Sequence, residues 1–486
     1  MDVVSFFHSR KAWFRPAAVS AAELRRAHLV GICGSGMKSL AALLLDLGWT
    51  ISGSDENPSS VDGLRARGVD VRHGNAAENV PRRAEVLIYS AAVPADNLER
   101  VAARSLRIPE RSYSQMLGEL MRGRVGIGIA GTHGKSSTAA MTAGILRRAG
   151  RDPSACIGAE LCEYGSGGWA GAGDLFVAEC CEFQRNFLDL APTYAAILNI
   201  EADHFDCFRS FEETCEAFRQ FAARIPADGL LVVRGDCAAA VEVARSATSR
   251  PEPARIETFS LASPATWLAE NLRATAEGIS FDAIFRGRLF GRFSLRVPGE
   301  HNVLNALAAI AICRRIGLQS AEMQAGLAEF RGVCRRFELL GTPNGIVWID
   351  DFAHHPTEVR ATLQAARQRY GRRRIWCLFQ PHQVSRLRAL LPEFVGSFAR
   401  ADKVLIAPVY AAREIRGPEA DAFSRQLANE IVRAGGRARF CDDLDRIVAT
   451  VDDEARAGDI VISMGAGDIY RVYHAYTRRL QRNLAS

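Results

Sequence analysis

An apolar run, Val125–Ala130, breaks into the loop Gly131-Thr132-His133-Gly134 and continues as Lys135-Ser136-Ser137 and an alanine-rich stretch without proline. No other feature limits the fold so strongly. A buried strand, a glycine turn and an amphipathic helix in that order form one unit of a parallel α/β sheet. The helix N-terminus and the turn expose backbone N–H groups that cradle phosphate oxygens. Lys135 adds a positive charge and Ser136 a hydroxyl suited to a magnesium ion. The spacing is shorter than in the general phosphate-loop pattern, because Gly131 lies only three residues before Gly134. Lysine usage strengthens the reading. The chain has four lysines, Lys11, Lys38, Lys135 and Lys403, within 61 Lys and Arg. A lysine kept directly after a glycine loop therefore points to function.

The same strand–helix alternation runs through most of the 486 residues, too many for one core. It predicts an α/β protein of three domains. A Rossmann-like domain at 27–123 has strands at 28–33, 50–54, 69–73 and 86–90, with a helix at 38–47. A central domain of phosphate-loop ATPase type at 124–331 has strands at 175–179, 195–199 and 230–234. Polar–apolar alternation with glycine interruptions over 267–297 predicts an antiparallel meander there, followed by a helix at 301–315. A second Rossmann-like domain at 332–486 has strands at 347–350, 375–379, 404–407 and 459–464. Residues 1–26 lack periodicity and read as a poorly ordered extension.

Composition excludes several classes. No run of 18 apolar residues predicts a membrane span, and the N-terminus has no signal-peptide core. The net charge of +6 is spread out, so an anionic small substrate accounts for it without nucleic acid. The 12 cysteines have no metal-type spacing, and Cys180-Cys181 are adjacent. They read as small buried residues of a reducing cytoplasm.

Three constellations sit after strands, where ligands bind in α/β sheets. The first is Gly31-Ile-Cys-Gly34-Ser35-Gly36-Met37, with Asp55 at the end of the next strand. Its glycine order, and Ser39 where a third glycine would fall, suit a nucleotide diphosphate better than NAD. The second is Glu179 with Asn199-Ile-Glu-Ala-Asp203-His204-Phe-Asp206, carboxylates and an imidazole near a phosphate loop. The third is Asp350-Asp351-Phe-Ala-His354-His355-Pro-Thr-Glu358 with Phe379-Gln-Pro-His382-Gln-Val-Ser-Arg386, a His/Arg group suited to a carboxylate. The spacing of His382 and Arg386 places both on one helical face if a helix begins at once. Seven of the ten histidines fall in segments of this kind: His73, His133, His204, His301, His354, His355 and His382.

Taken together, these segments resemble the Mur ligase family, the ATP-dependent amide-forming enzymes of peptidoglycan precursor synthesis. Gly131–Ser136, Asn199–His204, Gly299-Glu-His-Asn302-Val-Leu-Asn305 and Arg335-Arg336-Phe-Glu338 carry the resemblance, which spans about residues 28–470. The first and third constellations, with Met464-Gly-Ala-Gly467-Asp468, are most similar to the alanine-adding branch. The resemblance implies three substrates: ATP, UDP-N-acetylmuramate and L-alanine. Gly131–Ser137, Asn302, Asn305, Arg336 and Asp351 would bind ATP, with Lys135 on the β/γ-phosphates and Arg336 on the γ-phosphate. Ser136 and Glu179 would hold Mg2+, and His204 a second ion. Gly34, Ser35, Gly36, Met37, Asp55, His73 and Ser90 would bind the UDP-sugar. His354, His382 and Arg386 would bind the amino acid. It also implies a cytoplasmic enzyme, monomeric or homodimeric.

Two positions depart from the branch, and the absence of a lysine agrees with it. Cys180-Cys-Glu-Phe-Gln follows Glu179 where an acidic stretch is usual, and Phe352 stands where Tyr is common. No lysine lies between Lys135 and Lys403, which excludes the carbamylated lysine that some relatives use. A catalytically inactive regulatory or scaffolding homologue is disfavoured because Lys135, Glu179, His204 and Arg336 are all present, and two other readings compete. One is a ligase that recycles a whole tripeptide. The other is a nicotinamide oxidoreductase, which leaves the phosphate loop unexplained.

Overall fold

The computed structural model describes residues 25–57, 61–248, 253–262, 264–275, 277–412, 414 and 420–485. The expected N-terminal extension lies, up to residue 24, outside the described residues. Three sheets follow one another along the chain, of five, ten and six strands.

The five-stranded sheet is wholly parallel, with Arg26–Val30 at its centre between Thr50–Asp55 and Val86–Tyr89. The first strand ends at Val30, earlier than the apolar run suggests, because Gly31 turns the chain at φ +78°. Helix Ser35–Asp46 starts there and buries Leu40, Leu43 and Leu44. Its other side meets the central sheet. Ser39 is buried and donates to the Ile157 carbonyl at 2.6 Å. Ser39 thus serves a contact between sheets. At Gly168 the approach is so close that a Cβ would lie 1.8 Å from the Ser39 carbonyl oxygen.

The ten-stranded sheet has Val125–Ala130 between Leu175–Cys180 and Tyr194–Ile197, all parallel. The strand order departs in opposite directions from Val125–Ala130, so the loop after it sits at a switch point where ligands bind. The expected meander is present as Trp267–Ala274, Ile279–Phe285 and Arg288–Leu295, antiparallel at one edge. At the other edge the hairpin of Ser154–Leu161 and Ser166–Trp169 has no counterpart in the sequence reading.

The six-stranded sheet is parallel except for its edge strand Glu338–Gly341, with Ile460–Met464 between Val347–Asp351 and Ile375–Phe379. Each sheet buries apolar side chains on its faces, and Trp267, Trp348 and Trp376 are fully buried. Among the described residues no helix is long and apolar enough to cross a membrane.

Candidate functional site: a cleft between the central and third sheets

Gly134 is left-handed at φ +82° and caps helix Lys135–Arg148, a conformation open to glycine without strain. A Cβ there would meet the Asn305 side-chain oxygen at 2.5 Å, so the missing side chain also lets the loop approach helix Glu300–Ile316. The loop is pinned by Asn199, which accepts from the His133 N–H at 2.8 Å and donates to the His133 carbonyl at 3.1 Å. Asn302 donates to the Pro298 carbonyl at 2.7 Å, and Asn305 donates to Asn302 at 3.3 Å.

A cleft of about 840 Å³, open mouth included, runs along this loop. From the central sheet come His133, Gly134, Ser136 and Ser137, and from the following helix Asn302 and Asn305. From the third sheet come Arg336 and Asp351. These are eight of the residues expected to bind ATP. Asp351 is buried and accepts from the backbone N–H groups of Phe337 and Ala353, both at 2.8 Å. It thereby fixes the backbone directly after Arg336. Burial raises its carboxyl to about 6.

Lys135 points away from the cleft. Its ammonium donates to the carbonyls of Gly131 at 2.5 Å and Thr132 at 3.0 Å, and to Glu182 at 3.0 Å. Burial works against its charge, but Glu182 outweighs it and the ammonium is held well above its usual range. Glu182 is 2% exposed and lies 3.5 Å from His204. The carboxylate beside His204 is thus Glu182, which the sequence reading did not name. Glu179 instead accepts from Ser136 at 2.9 Å and from the Gly158 N–H at 2.8 Å. Glu182 went unread because only its place in the departing Cys180-Cys-Glu stretch marked it. Among the described residues, Glu182 Oε1 and His204 Nδ1 are buried without a hydrogen-bond partner. Donor atoms of Cys181, Glu182 and His204 lie within 4.8 Å of one another.

The segment expected to serve a metal mostly joins the two sheets. Thr357 donates to Glu201 at 2.6 Å, Arg386 Nε donates to Asp203 at 2.7 Å, and Gln383 donates to Asp206 at 3.2 Å. His133 lies 3.3 Å from Glu358 and 3.6 Å from Glu201, and its ring is 4.5 Å from that of His355. Burial alone would discharge His133, but the two glutamates overcome it and lift the imidazole to about 9. Burial holds His354 down at about 4, so it is neutral near pH 7.

His382, Arg386 and His354 do come together. Arg386 Nη1 donates to the ring and to the carbonyl of His382, both at 3.0 Å, and the His354 and His382 rings are 5.6 Å apart. The shared helical face is corrected, because the helix is Val384–Ala389 and Gln383 at φ +68° precedes it, leaving His382 outside. Arg386 is 2% exposed and already paired with a carboxylate of the central sheet.

In the first sheet Asp55 accepts from the Cys33 N–H at 2.9 Å, so it braces the glycine turn. Gly34 and Ser35 open the helix, and Gly36 lies against the Tyr113 ring, where a Cβ would sit 3.0 Å from it. His73 is exposed opposite Asp55, and Ser90 follows its strand. Met37 is a correction. It is 3% exposed and packed in the core, leaving only its backbone for a ligand.

With this geometry in view, the class follows. Sequence models of the Mur ligase family match three stretches: its catalytic domain over 26–125, its middle domain over 129–313 and its glutamate ligase domain over 335–467. The chain belongs to the Mur ligase family. UDP-N-acetylmuramate--L-alanine ligase of Alkaliphilus metalliredigens is 40% identical over 453 residues, 93% of this chain and 96% of that protein. The enzyme of the same name from Desulfitobacterium hafniense is 40% identical over 449 residues, 92% and 98% of the two chains. The crystal structure of UDP-N-acetylmuramate-alanine ligase from Thermotoga maritima has a TM-score of 0.79 at 26% identity, covering 94% of this chain and 99% of that one. A murein peptide ligase from Psychrobacter arcticus has a TM-score of 0.70 at 25% identity, covering 93% and 98%.

Proposed function

We propose that this chain is an ATP-dependent ligase of peptidoglycan precursor synthesis that joins L-alanine to the lactoyl carboxylate of UDP-N-acetylmuramate. The observation that carries the reading is the cleft. It sets a lysine-bearing phosphate loop, two asparagines of the central domain and Arg336 of the third around one space, in a chain 40% identical to proteins named for this reaction. We divide it into a UDP-sugar domain at 27–123, an ATP domain at 124–331 and an amino-acid domain at 332–486.

In this reading Asn302 and Asn305 meet the adenine, and the loop N–H groups of Gly131–Ser137 hold the phosphates. Lys135 turns from Glu182 to the β/γ-phosphates as they enter, and Arg336 reaches the γ-phosphate. The lactoyl carboxylate, led in by Gly34–Met37, Asp55, His73 and Ser90, attacks the γ-phosphorus and ADP leaves. The amine of alanine, oriented by His354, His382 and Arg386, then attacks the acyl phosphate carbonyl and phosphate leaves. Catalysis is positioning plus stabilisation of charge on the transferred group. The donor set fits Mg2+: a hydroxyl and two carboxylates, with Glu182 Oε1 and His204 Nδ1 lacking hydrogen-bond partners among the described residues. Ser136 and Glu179 would hold one ion, and Glu182 with His204 a second, and there they would supply positive charge beside the phosphates. We place the reaction in the cytoplasm, where ATP is at hand.

The test is ADP release with ATP and UDP-N-acetylmuramate, offering free alanine, glycine, serine or a murein tripeptide. Release with alanine supports the reading. Release with the tripeptide alone would reassign the chain to the recycling ligases.

A further inference from the structure

Cys162 and Cys334 are 172 residues apart in sequence, yet their sulfurs are 3.2 Å apart. Neither belongs to the cleft. Cys162 is exposed, at the turn of the edge hairpin of the central sheet. Cys334 lies in the segment that leads from the central sheet into the third. The two strips are joined by backbone as well. Leu161 and Val333 form an antiparallel bridge, and the Cys334 N–H donates to the Glu160 carbonyl at 2.8 Å. The segment has the backbone of a hinge, with Gly332 at φ +98°, Arg335 at +60° and Phe337 at +51°. Left-handed conformation at two non-glycine residues within six positions is held only by its surroundings. Arg336, which lines the cleft, stands two residues after Cys334.

We propose that Cys162 and Cys334 are a modification site: they form a reversible disulfide that ties this hinge to the central hairpin. The sulfurs need approach by only about 1.2 Å from their 3.2 Å separation to reach bonding distance. The chemistry has an attacking and a resolving partner. The contact between the two sulfurs, in which either thiol can donate, lowers Cys162 and raises Cys334. Cys162, the exposed sulfur of the two, is the one that a peroxide meets first, reacting as its thiolate. Its sulfur attacks one peroxide oxygen, the O–O bond breaks, and Cys162 becomes a sulfenic acid as water leaves. The Cys334 sulfur then attacks the Cys162 sulfur, the S–O bond breaks, and a second water leaves with the Cys334 proton. Two thiols are oxidised and one hydrogen peroxide is reduced to two waters. A dithiol reductant reverses the bond by exchange.

The consequence is mechanical. We take product exchange to carry Arg336 from the loop by a turn of the third domain about 332–337. A disulfide at Cys334 holds the hinge in the arrangement described here. This consequence rests on the ligase reading, whereas bond formation does not.

The experiment treats the full chain with graded hydrogen peroxide, alkylates the remaining thiols and maps disulfides by peptide mass. Turnover is read before and after dithiothreitol. The expected result is one cross-linked pair, Cys162 with Cys334, and turnover falling by about tenfold or more as loop gating is blocked. Dithiothreitol restores it, and Cys162→Ser and Cys334→Ser each keep full turnover in peroxide. Cross-links elsewhere, Cys162 oxidised with Cys334 still free, or both thiols masked by a tightly bound zinc ion would overturn the disulfide. A mapped Cys162–Cys334 bond with unchanged turnover would overturn the hinge role and leave the ligase reading intact.

Discussion

Two glycine turns in this protein follow a strand and open a helix, and they differ in what surrounds them. The turn at Gly31–Gly36 is braced within its own sheet, by Asp55 accepting from the Cys33 N–H. The helix it opens spends Ser39 on a contact to the central hairpin. The turn at Gly131–Gly134 faces another domain. Ionisable groups crowd it, including Lys135, Glu182, His133, Glu201 and Glu358, and His133 is paired across the domain boundary with Glu358. The first turn suits binding and holding a substrate. The second sets titratable groups of two domains beside the phosphate loop, where phosphoryl transfer needs positioned charge.

The largest test of this contrast is Lys135→Ala. Turnover should fall by at least about a thousandfold, since the variant loses charge stabilisation in the transition state. It also leaves the buried Glu182 carboxylate with only His204 at 3.5 Å beside it, a cost of up to about 3–5 kcal/mol. Adding Glu182→Gln should restore much of the melting temperature but none of the turnover. Near-normal ADP release by a folded Lys135→Ala protein would remove the loop from catalysis.

Arg386→Ala comes next. It breaks a buried pair with Asp203 between domains, so denaturant unfolding should show a loss of about 3 kcal/mol or more. If the guanidinium also receives the alanine carboxylate, the KM for alanine should rise strongly. Asp203→Asn should destabilise with a smaller effect on that KM. Equal changes in the KM values of all three substrates would make Arg386 a domain tie only.

The pH dependence is smaller. His133 is lifted from 6.5 to about 9 in the folded chain. Its contribution is fully present below pH 6.5 and is lost as the pH rises through about 9, amounting to roughly 3 kcal/mol at most. Urea unfolding between pH 6 and 10 should show that slope, and His133→Asn should flatten it. Glu201 works oppositely. Burial would raise it, but His133 outweighs this and holds it at about 2, so its contribution is lost only as the pH falls from 4.5 through that value.

The smallest effect belongs to the quiet turn. Asp55→Asn should weaken UDP-N-acetylmuramate binding by about 1 kcal/mol, seen by calorimetry, through a loosened Cys33 N–H contact. The KM for ATP should not move. Saturable NAD binding, with no response to the UDP-sugar, would reverse the reading of this turn.

Sequence alone determined what is local. The phosphate loop was legible because an apolar run, two glycines and a helix within 25 residues dictate their own backbone. The meander was legible because its period-2 pattern is set by one solvated face. The parallel strands of the third sheet were legible as short apolar runs. Only the tertiary structure decided which charges meet. Glu182, not Glu179, reaches Lys135 and His204. Asp203 holds Arg386 from 183 residues away, and Cys334 finds Cys162. The hairpin at 154–169 had no clear pattern because glycines and a neighbouring domain, rather than alternation, shape it. The physical reason is range. Backbone preference and hydrophobic period act over a few residues and leave their mark in order along the chain. A buried ion pair is fixed by where whole domains pack, and neither partner's neighbours in sequence carry that information.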